Sequence, residues 1–394
     1  MSAGSGPARR TLLLSVHSTA LGGAERCALA EAKRLSRSYE LVIAAPDGPL
    51  RAEFENYGVL VHGPPLLPIW GDTPRRWGIQ LVRTVLDTVR LALLIRRQRI
   101  DGIVCNSSVG LSPVLAGWLT RRPVVVHLRD SPNSRLARPL VRLEAMLARA
   151  VIPVSDGLAP LCGPRPKARI VCIADGIPIP PWRRQQRFHK PLQLGVVGAI
   201  DRGKGQDIAL GALHELVTAG ITAELQLVGR EADSGFAAEL RETARASGVE
   251  DLVHFQGERL DLEQIYASLD ILLLPSRRDR TPLVVLEALA RCLPVVASGV
   301  GSVPELLLDG DAGVVVVPDD PAALGAGVLT LVDNPELVRS LTMRGRRHVV
   351  ENYDLERTLE MACVEIARVL PLESSRPSHL PSDQRENSEL LSGP

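Results

Sequence analysis

The 394-residue chain lacks any apolar run approaching the roughly 18 residues that a helix needs to cross a bilayer, which excludes a helical span within it. It also has no C-x-x-C pair. Cys27, Cys105, Cys162, Cys172, Cys292 and Cys363 are scattered, and three of them lie in or beside apolar runs. That removes a zinc ribbon and a disulfide framework, and makes a reducing cytoplasm the expected setting. Net charge is nearly absent, with 46 Lys+Arg against 45 Asp+Glu. Lysine is scarce as well: 42 of the 46 basic residues are Arg, so a single Arg carries little weight. The short run Thr11–Leu14 after Arg9-Arg10 meets His17, a glycine turn and a charged helix, and reads as a first buried strand, not a leader.

The chain is otherwise that of a globular protein, 45% hydrophobic and 23% charged, and its length suits two domains of ordinary size. The neutrality is a cancellation. Residues 1–185 hold 26 Lys+Arg against 13 Asp+Glu, a net of +13, and the remaining 209 hold 20 against 32, a net of −12. The first half is therefore expected to meet an anionic surface or substrate; no nucleic-acid partner is indicated.

Short apolar strands alternate with helical stretches in two series, which predicts two doubly wound α/β domains with parallel sheets. The expected division is an N-terminal domain over 1–180, a Pro- and Arg-rich linker over 181–191, a C-terminal domain over 192–370 and a disordered tail over 371–394. In such sheets ligands bind beyond the carboxyl ends of the strands. Three loops of the second half lie there. Gly198-Ala199-Ile200-Asp201-Arg202-Gly203-Lys204-Gly205 follows the strand Leu192–Val197, and Lys204 stands where it could touch a phosphate near a helix N-terminus. Its spacing fits neither a P-loop nor a dinucleotide fingerprint. Leu227-Val228-Gly229-Arg230 is a second strand running into a glycine turn. In the third, Asp279 and Glu287 are eight residues apart, and Glu287 falls within the apolar stretch Leu283–Leu289. A carboxylate there is costly unless something hydrogen-bonds to it; ribose or sugar hydroxyls would serve, and so would a neighbouring Arg.

These residues carry a resemblance. The segment 275–288, followed by Pro294–Ser298 and by Gly301-Ser302-Val303-Pro304-Glu305, resembles the retaining GT-B glycosyltransferases whose signature is Glu-x7-Glu. Lys204-Gly205, Leu227–Gly229 and Phe255–Gly257 are similar to further motifs of that family. So are Gly22-Gly23-Ala24-Glu25, His127 after Val124–Val126, Val154-Ser155 and Asp175-Gly176-Ile177, so the likeness runs over residues 11–370. It implies a nucleotide-sugar donor, most readily a UDP- or GDP-sugar, as substrate, with no further cofactor and no metal. It implies that Glu287 binds the ribose, Asp279 the sugar ring and Lys204 the diphosphate, and that backbone N–H groups at Thr281, Leu283 and Val284 cap that diphosphate. Gly22 and Gly23 would let the loop of the first domain close onto the donor phosphate or the acceptor, Gly229 would shape the donor-side turn, and His127 would contact the sugar.

Two positions depart from the pattern. The family has Glu where Asp279 stands, and Arg where Ala199 follows Gly198; Arg202 is the nearest substitute cation. No Asp-x-Asp pair sits at a strand end, so positive charge for the leaving diphosphate must come from side chains and helix dipoles. The expected activity is metal-independent, retaining transfer to a glycan or lipid-linked acceptor in cell-surface glycan or glycolipid synthesis. The setting would be the cytoplasm, with a peripheral place on the inner membrane face. A nucleotide-sugar epimerase or a non-catalytic sugar-nucleotide-binding relative remain the alternatives.

Arginines at 76, 83, 90 and 97 recur every seven residues, and Trp70 and Trp77 lie near. On the same helix Ile79, Val82, Leu86, Val89 and Leu93 form a separate apolar face. The favoured expectation is that this face packs on the sheet and the Arg stripe is solvated; the alternative is an element that meets an anionic membrane surface.

Overall fold

Strands rich in Val, Ile and Leu, apolar on both faces instead of alternating, belong in parallel sheets covered by helices on each side. A computed structural model describes residues 9–19, 22–63, 74–108, 110–129, 138–181, 188–259, 261–279 and 281–370. Trp70, the linker over 182–187, the tail over 371–394 and the side chains of Arg76, Trp77 and Ile79 lie outside the described parts.

The first sheet is built from β1 (Thr11–Ser15), β2 (Glu40–Ala45), β3 (Val59–His62), β4 (Gly102–Cys105), β5 (Val124–Leu128), β6 (Ala150–Pro153) and β7 (Arg169–Ile170). Its strands are parallel, in the order β3-β2-β1-β4-β5-β6-β7. The helices of this half are α1 (Gly23–Leu35), α2 (Arg51–Glu55), α3 (Pro74–Arg97), α4 (Ser112–Thr120) and α5 (Arg138–Leu147). The second sheet holds β8 (Leu192–Val197), β9 (Ala223–Val228), β10 (Val253–Gly257), β11 (Ile271–Leu274), β12 (Val295–Ser298) and β13 (Val314–Val316), parallel in the order β10-β9-β8-β11-β12-β13. Its helices are α6 (Gln206–Thr218), α7 (Ser234–Ala246), α8 (Leu262–Ala267), α9 (Leu283–Ala290), α10 (Val303–Leu306), α11 (Pro321–Asp333) and α12 (Pro335–Asn352), and α13 (Leu355–Val369) follows. Both halves thus have the doubly wound order expected, with switch points between β1 and β4 and between β8 and β11.

Two cores flank the first sheet. Leu91, Ile95, Val114 and Val141 from α3, α4 and α5 cover one face. Ala28, Ala32 and Leu35 of α1 and Phe54 of α2 cover the other. The second core also contains Ala362, Ile366 and Leu370, so α13 crosses back onto the first sheet although it follows the second in sequence. The crossing is pinned where Ile177 N–H donates to the Tyr353 carbonyl at 2.9 Å and Leu355 N–H donates to the Ile177 carbonyl at 3.0 Å. The expected domain over 192–370 therefore ends in a helix whose apolar face lies in the other half.

The helix α3 corrects an expectation. Its sheet-packing residues are Leu91 and Ile95, whereas Val82, Leu86, Val89 and Leu93 are 46–60% exposed. The periodicity showed an apolar stripe, but a helix with two apolar stripes does not reveal which one the sheet takes.

Candidate active site

The carboxyl ends of both sets of strands face a cleft of about 1300 Å³. On the second-domain wall the turn after β8 presents Gly198, Ala199 and Lys204, and the turn after β9 presents Gly229 and Arg230. These two turns are pressed together: a Cβ on Gly229 would stand 1.9 Å from the Gly198 carbonyl oxygen, so only glycine fits there. Lys204 Nζ donates to Asp279 at 2.7 Å, and the Ser276 hydroxyl donates to the same carboxylate oxygen at 3.1 Å. The two residues expected to hold diphosphate and sugar therefore meet, 75 positions apart in sequence.

α9 forms the floor. Val285, Leu286, Ala288, Leu289 and Ala290 are buried, and Pro282 starts the helix with no side-chain cap among the described residues. Its first N–H groups, by Leu283 and Val284, thus stand at the cleft with Thr281 beside them. Glu287, 5% exposed, lines the same cleft. Its Oε1 accepts from Arg26 at 3.0 Å and its Oε2 accepts from the Tyr266 hydroxyl at 2.6 Å. Burial, then the adjacent Glu287 carboxylate, push the Tyr266 hydroxyl well above its ordinary pKa, so it stays a donor. A carboxylate has about four acceptor sites; two are taken, and two remain for ligand hydroxyls. The neighbouring Arg foreseen for a buried Glu287 exists, but it comes from the opposite domain.

On the first-domain wall Gly22 precedes α1, and Gly23 packs so closely on α9 that a Cβ would approach Leu283 Cδ1 to 2.9 Å. His17 Nε2 lies 3.5 Å from Glu25 Oε1. Arg129 donates through Nε to both oxygens of Asp175, at 3.0 and 2.9 Å, and through a second nitrogen to Asn106. His17, Glu25, Arg26, Arg129, Ser155 and Asp175 all line the cleft.

Two expected residues are not brought there. β5 continues through Leu128, so His127 remains inside the sheet, 4% exposed, under α1. Its Nε2 is 2.8 Å from Glu31, and the cleft begins only at Arg129. Burial alone would raise the Glu31 carboxyl, yet His127, through charge and hydrogen bond, and then Arg129 hold it below the ordinary carboxylate range. Arg202 is the second. The turn that directs Lys204 inward directs Arg202 outward, onto the Glu239 carboxylate and across the Phe236 ring. The cations that do line the cleft without a partner among the described residues are Arg230 and Arg278. Arg230 was legible, since it follows a strand-end glycine; Arg26 and Arg129 carried no signal in a chain so rich in Arg. Among the described residues no three His, Cys, Asp or Glu side chains gather as metal ligands would.

The chain aligns at 32% identity over 166 residues with the lipopolysaccharide core biosynthesis mannosyltransferase LpcC of Rhizobium leguminosarum bv. viciae, covering 42% of this chain and 47% of that protein. It aligns at 30% over 220 residues with the glycogen synthase of Mycobacterium tuberculosis (strain H37Rv), covering 55% and 52%. The chain thus spans about half the length of these curated relatives. Among solved structures, Anabaena Alr3699/HepE in complex with UDP and glucose superposes with a TM-score of 0.74 at 21% identity, over 90% of this chain and 99% of that one. The sucrose-phosphate synthase of Thermosynechococcus elongatus does so at 0.72 and 18%, over 92% and 99%. These likenesses show the GT-B fold: two Rossmann-like domains facing a cleft. Residues 21–179 match the family described as glycosyltransferase family 4 and residues 191–334 match glycosyl transferases group 1. With both halves matched in order around one cleft, the chain belongs to the group 1, family 4 glycosyltransferases.

Proposed function

We propose that this glycosyltransferase moves a sugar, with retention of configuration and without a metal, from a UDP- or GDP-sugar to a glycan or lipid-linked acceptor of the cell surface. The observation that carries the reading is the meeting of Lys204, Asp279, Glu287 and the uncapped start of α9 on one cleft wall. Glu287 has two acceptor sites left for the two ribose hydroxyls. On donor entry Lys204 leaves Asp279 for the diphosphate, and Asp279 turns to hydroxyls of the sugar. Arg230 supplies a cation on the side where Ala199 offers none. Lys204, Arg230 and the α9 N-terminus together stabilise the charge that grows on the leaving diphosphate. Cleavage through an oxocarbenium-like state with same-face attack accounts for retention. The opposite wall, with His17, Arg129 and Asp175, is left for the acceptor. HepE was solved in complex with UDP and glucose, and LpcC is a mannosyltransferase of lipopolysaccharide core biosynthesis; both support the substrate classes proposed.

The test is donor turnover. Incubation with UDP-, GDP- and ADP-sugars should release the nucleoside diphosphate from one of the first two, faster when acceptor glycolipid is present. Binding without release in every mixture would make the chain a non-catalytic relative, and sugar interconversion without acceptor would make it an epimerase.

A further inference from the structure

Among the described residues, ten of the eighteen exposed large apolar side chains lie on three neighbouring helices of one domain. They are Leu81, Val82, Val85, Leu86, Val89 and Leu93 on α3, Trp118 and Leu119 on α4, and Leu143 and Met146 on α5. At 100° per residue the six on α3 fall within an arc of about 140°, centred about 130° around the helix from Leu91 and Ile95, which meet the sheet. Leu81, Val82 and Trp118 are 59–67% exposed, and Trp118 belongs to the helix tied to α3 by the bond from the Ser112 hydroxyl to the Thr84 carbonyl at 3.4 Å. A helix layer that presents an apolar face on both sides is buried on both sides in its working state.

Charge identifies the occupant. Residues 81–99, 112–122 and 138–149 carry ten exposed arginines, of which Arg83, Arg90 and Arg97 run along one flank of the apolar arc. The acidic residues of these segments are Asp87 and Glu144, and both are buried. Burial pushes both carboxyls above their ordinary range, and Asp87 lies 3.8 Å from Arg90 on the buried side of α3. A second copy docked face to face would set arginine against arginine around a twofold axis. A bilayer with anionic headgroups offers apolar depth for the stripe and counter-charge for its flank.

We propose that the outer face of α3, α4 and α5 is the seat of this protein on an anionic lipid bilayer, with α3 lying along the headgroup boundary. Its purpose rests on the transferase reading, since such a seat holds the cleft beside a membrane-borne acceptor. The existence of the seat does not depend on that reading.

The experiment is co-sedimentation of the full chain with vesicles of phosphatidylcholine and phosphatidylglycerol, and with phosphatidylcholine alone. The mixed vesicles should bind the chain at least about tenfold more strongly, less so in high salt. The triple substitution Leu86→Ser, Val89→Ser, Leu93→Ser touches only half-exposed side chains. It should weaken binding at least about tenfold while leaving the unfolding temperature and UDP or GDP affinity unchanged. Arg83→Gln with Arg97→Gln should remove the preference for the anionic lipid. Equal binding to both vesicle types, or binding indifferent to the serine substitutions, would overturn the proposal. So would a failure to bind vesicles with self-association that the serine substitutions abolish, which would give the face to a second copy. Nucleotide affinity, measured in parallel, separates these outcomes from failure of the transferase reading.

Discussion

Replacing Glu287 by Gln keeps the shape of the side chain and removes its charge, so it isolates what the carboxylate does. The parent Oε1 accepts from Arg26 at 3.0 Å and Oε2 from the Tyr266 hydroxyl at 2.6 Å. A Gln amide has one oxygen, which keeps the bond from buried Tyr266 and loses that from Arg26. The Arg26 side chain is 36% exposed, so solvent screens much of that loss, and about 1 kcal/mol of stability should go. Donor binding should suffer more. The two ribose hydroxyls lose charge-assisted acceptors, together worth about 2–3 kcal/mol, or roughly 30- to 150-fold in Kd. Titration calorimetry with UDP and GDP reads the affinity, and thermal unfolding reads the stability. A 2′-deoxy nucleotide completes a double cycle: the parent should discriminate against it, and Glu287→Gln should not. An affinity within about threefold of the parent, or unchanged discrimination against the deoxy nucleotide, would refute the ribose assignment.

Gly23→Val places side-chain atoms where a Cβ alone is already 2.9 Å from Leu283, so it should hold the domains apart and lower donor turnover about tenfold or more; adding Leu283→Ala should recover part of it. Lys204→Ala should weaken UDP binding about ten- to hundredfold and leave UMP nearly unaffected, whereas Asp279→Ala should abolish turnover yet retain UDP. Equal effects on UDP and UMP would contradict the diphosphate role. Because the fold holds the Glu31 carboxyl below its ordinary range, its ionised form stabilises the protein above the ordinary value near 4.5, and that contribution is lost as pH falls through the lower folded value. Glu31→Gln should therefore flatten the acid limb in urea unfolding at stepped pH; an unaltered slope would mean the pair with His127 contributes nothing.

The second half of the chain was the more legible because its site is built from strand-end turns. Lys204, Gly229, Asp279 and the start of α9 each lie in or at the end of the turn that follows a strand, and a strand end in a doubly wound sheet is already at the cleft. His127 misled because one or two residues of extra strand decide whether a side chain lies in the sheet or beyond it. Arg202 misled because a turn sends neighbouring side chains in different directions.

By itself the sequence determined that there are two doubly wound domains, opposite in charge, with glycine turns and Lys204 at the strand ends of the acidic half. Those properties follow from periodicity, strand-end glycines and composition, all local along the chain. Only the tertiary structure decided that Arg26 reaches across to Glu287, that Arg129 and not His127 faces the cleft, and that α3 turns an apolar stripe outward. Each depends on which of two chemically similar surfaces meets a partner distant in sequence, and local pattern holds no record of that choice.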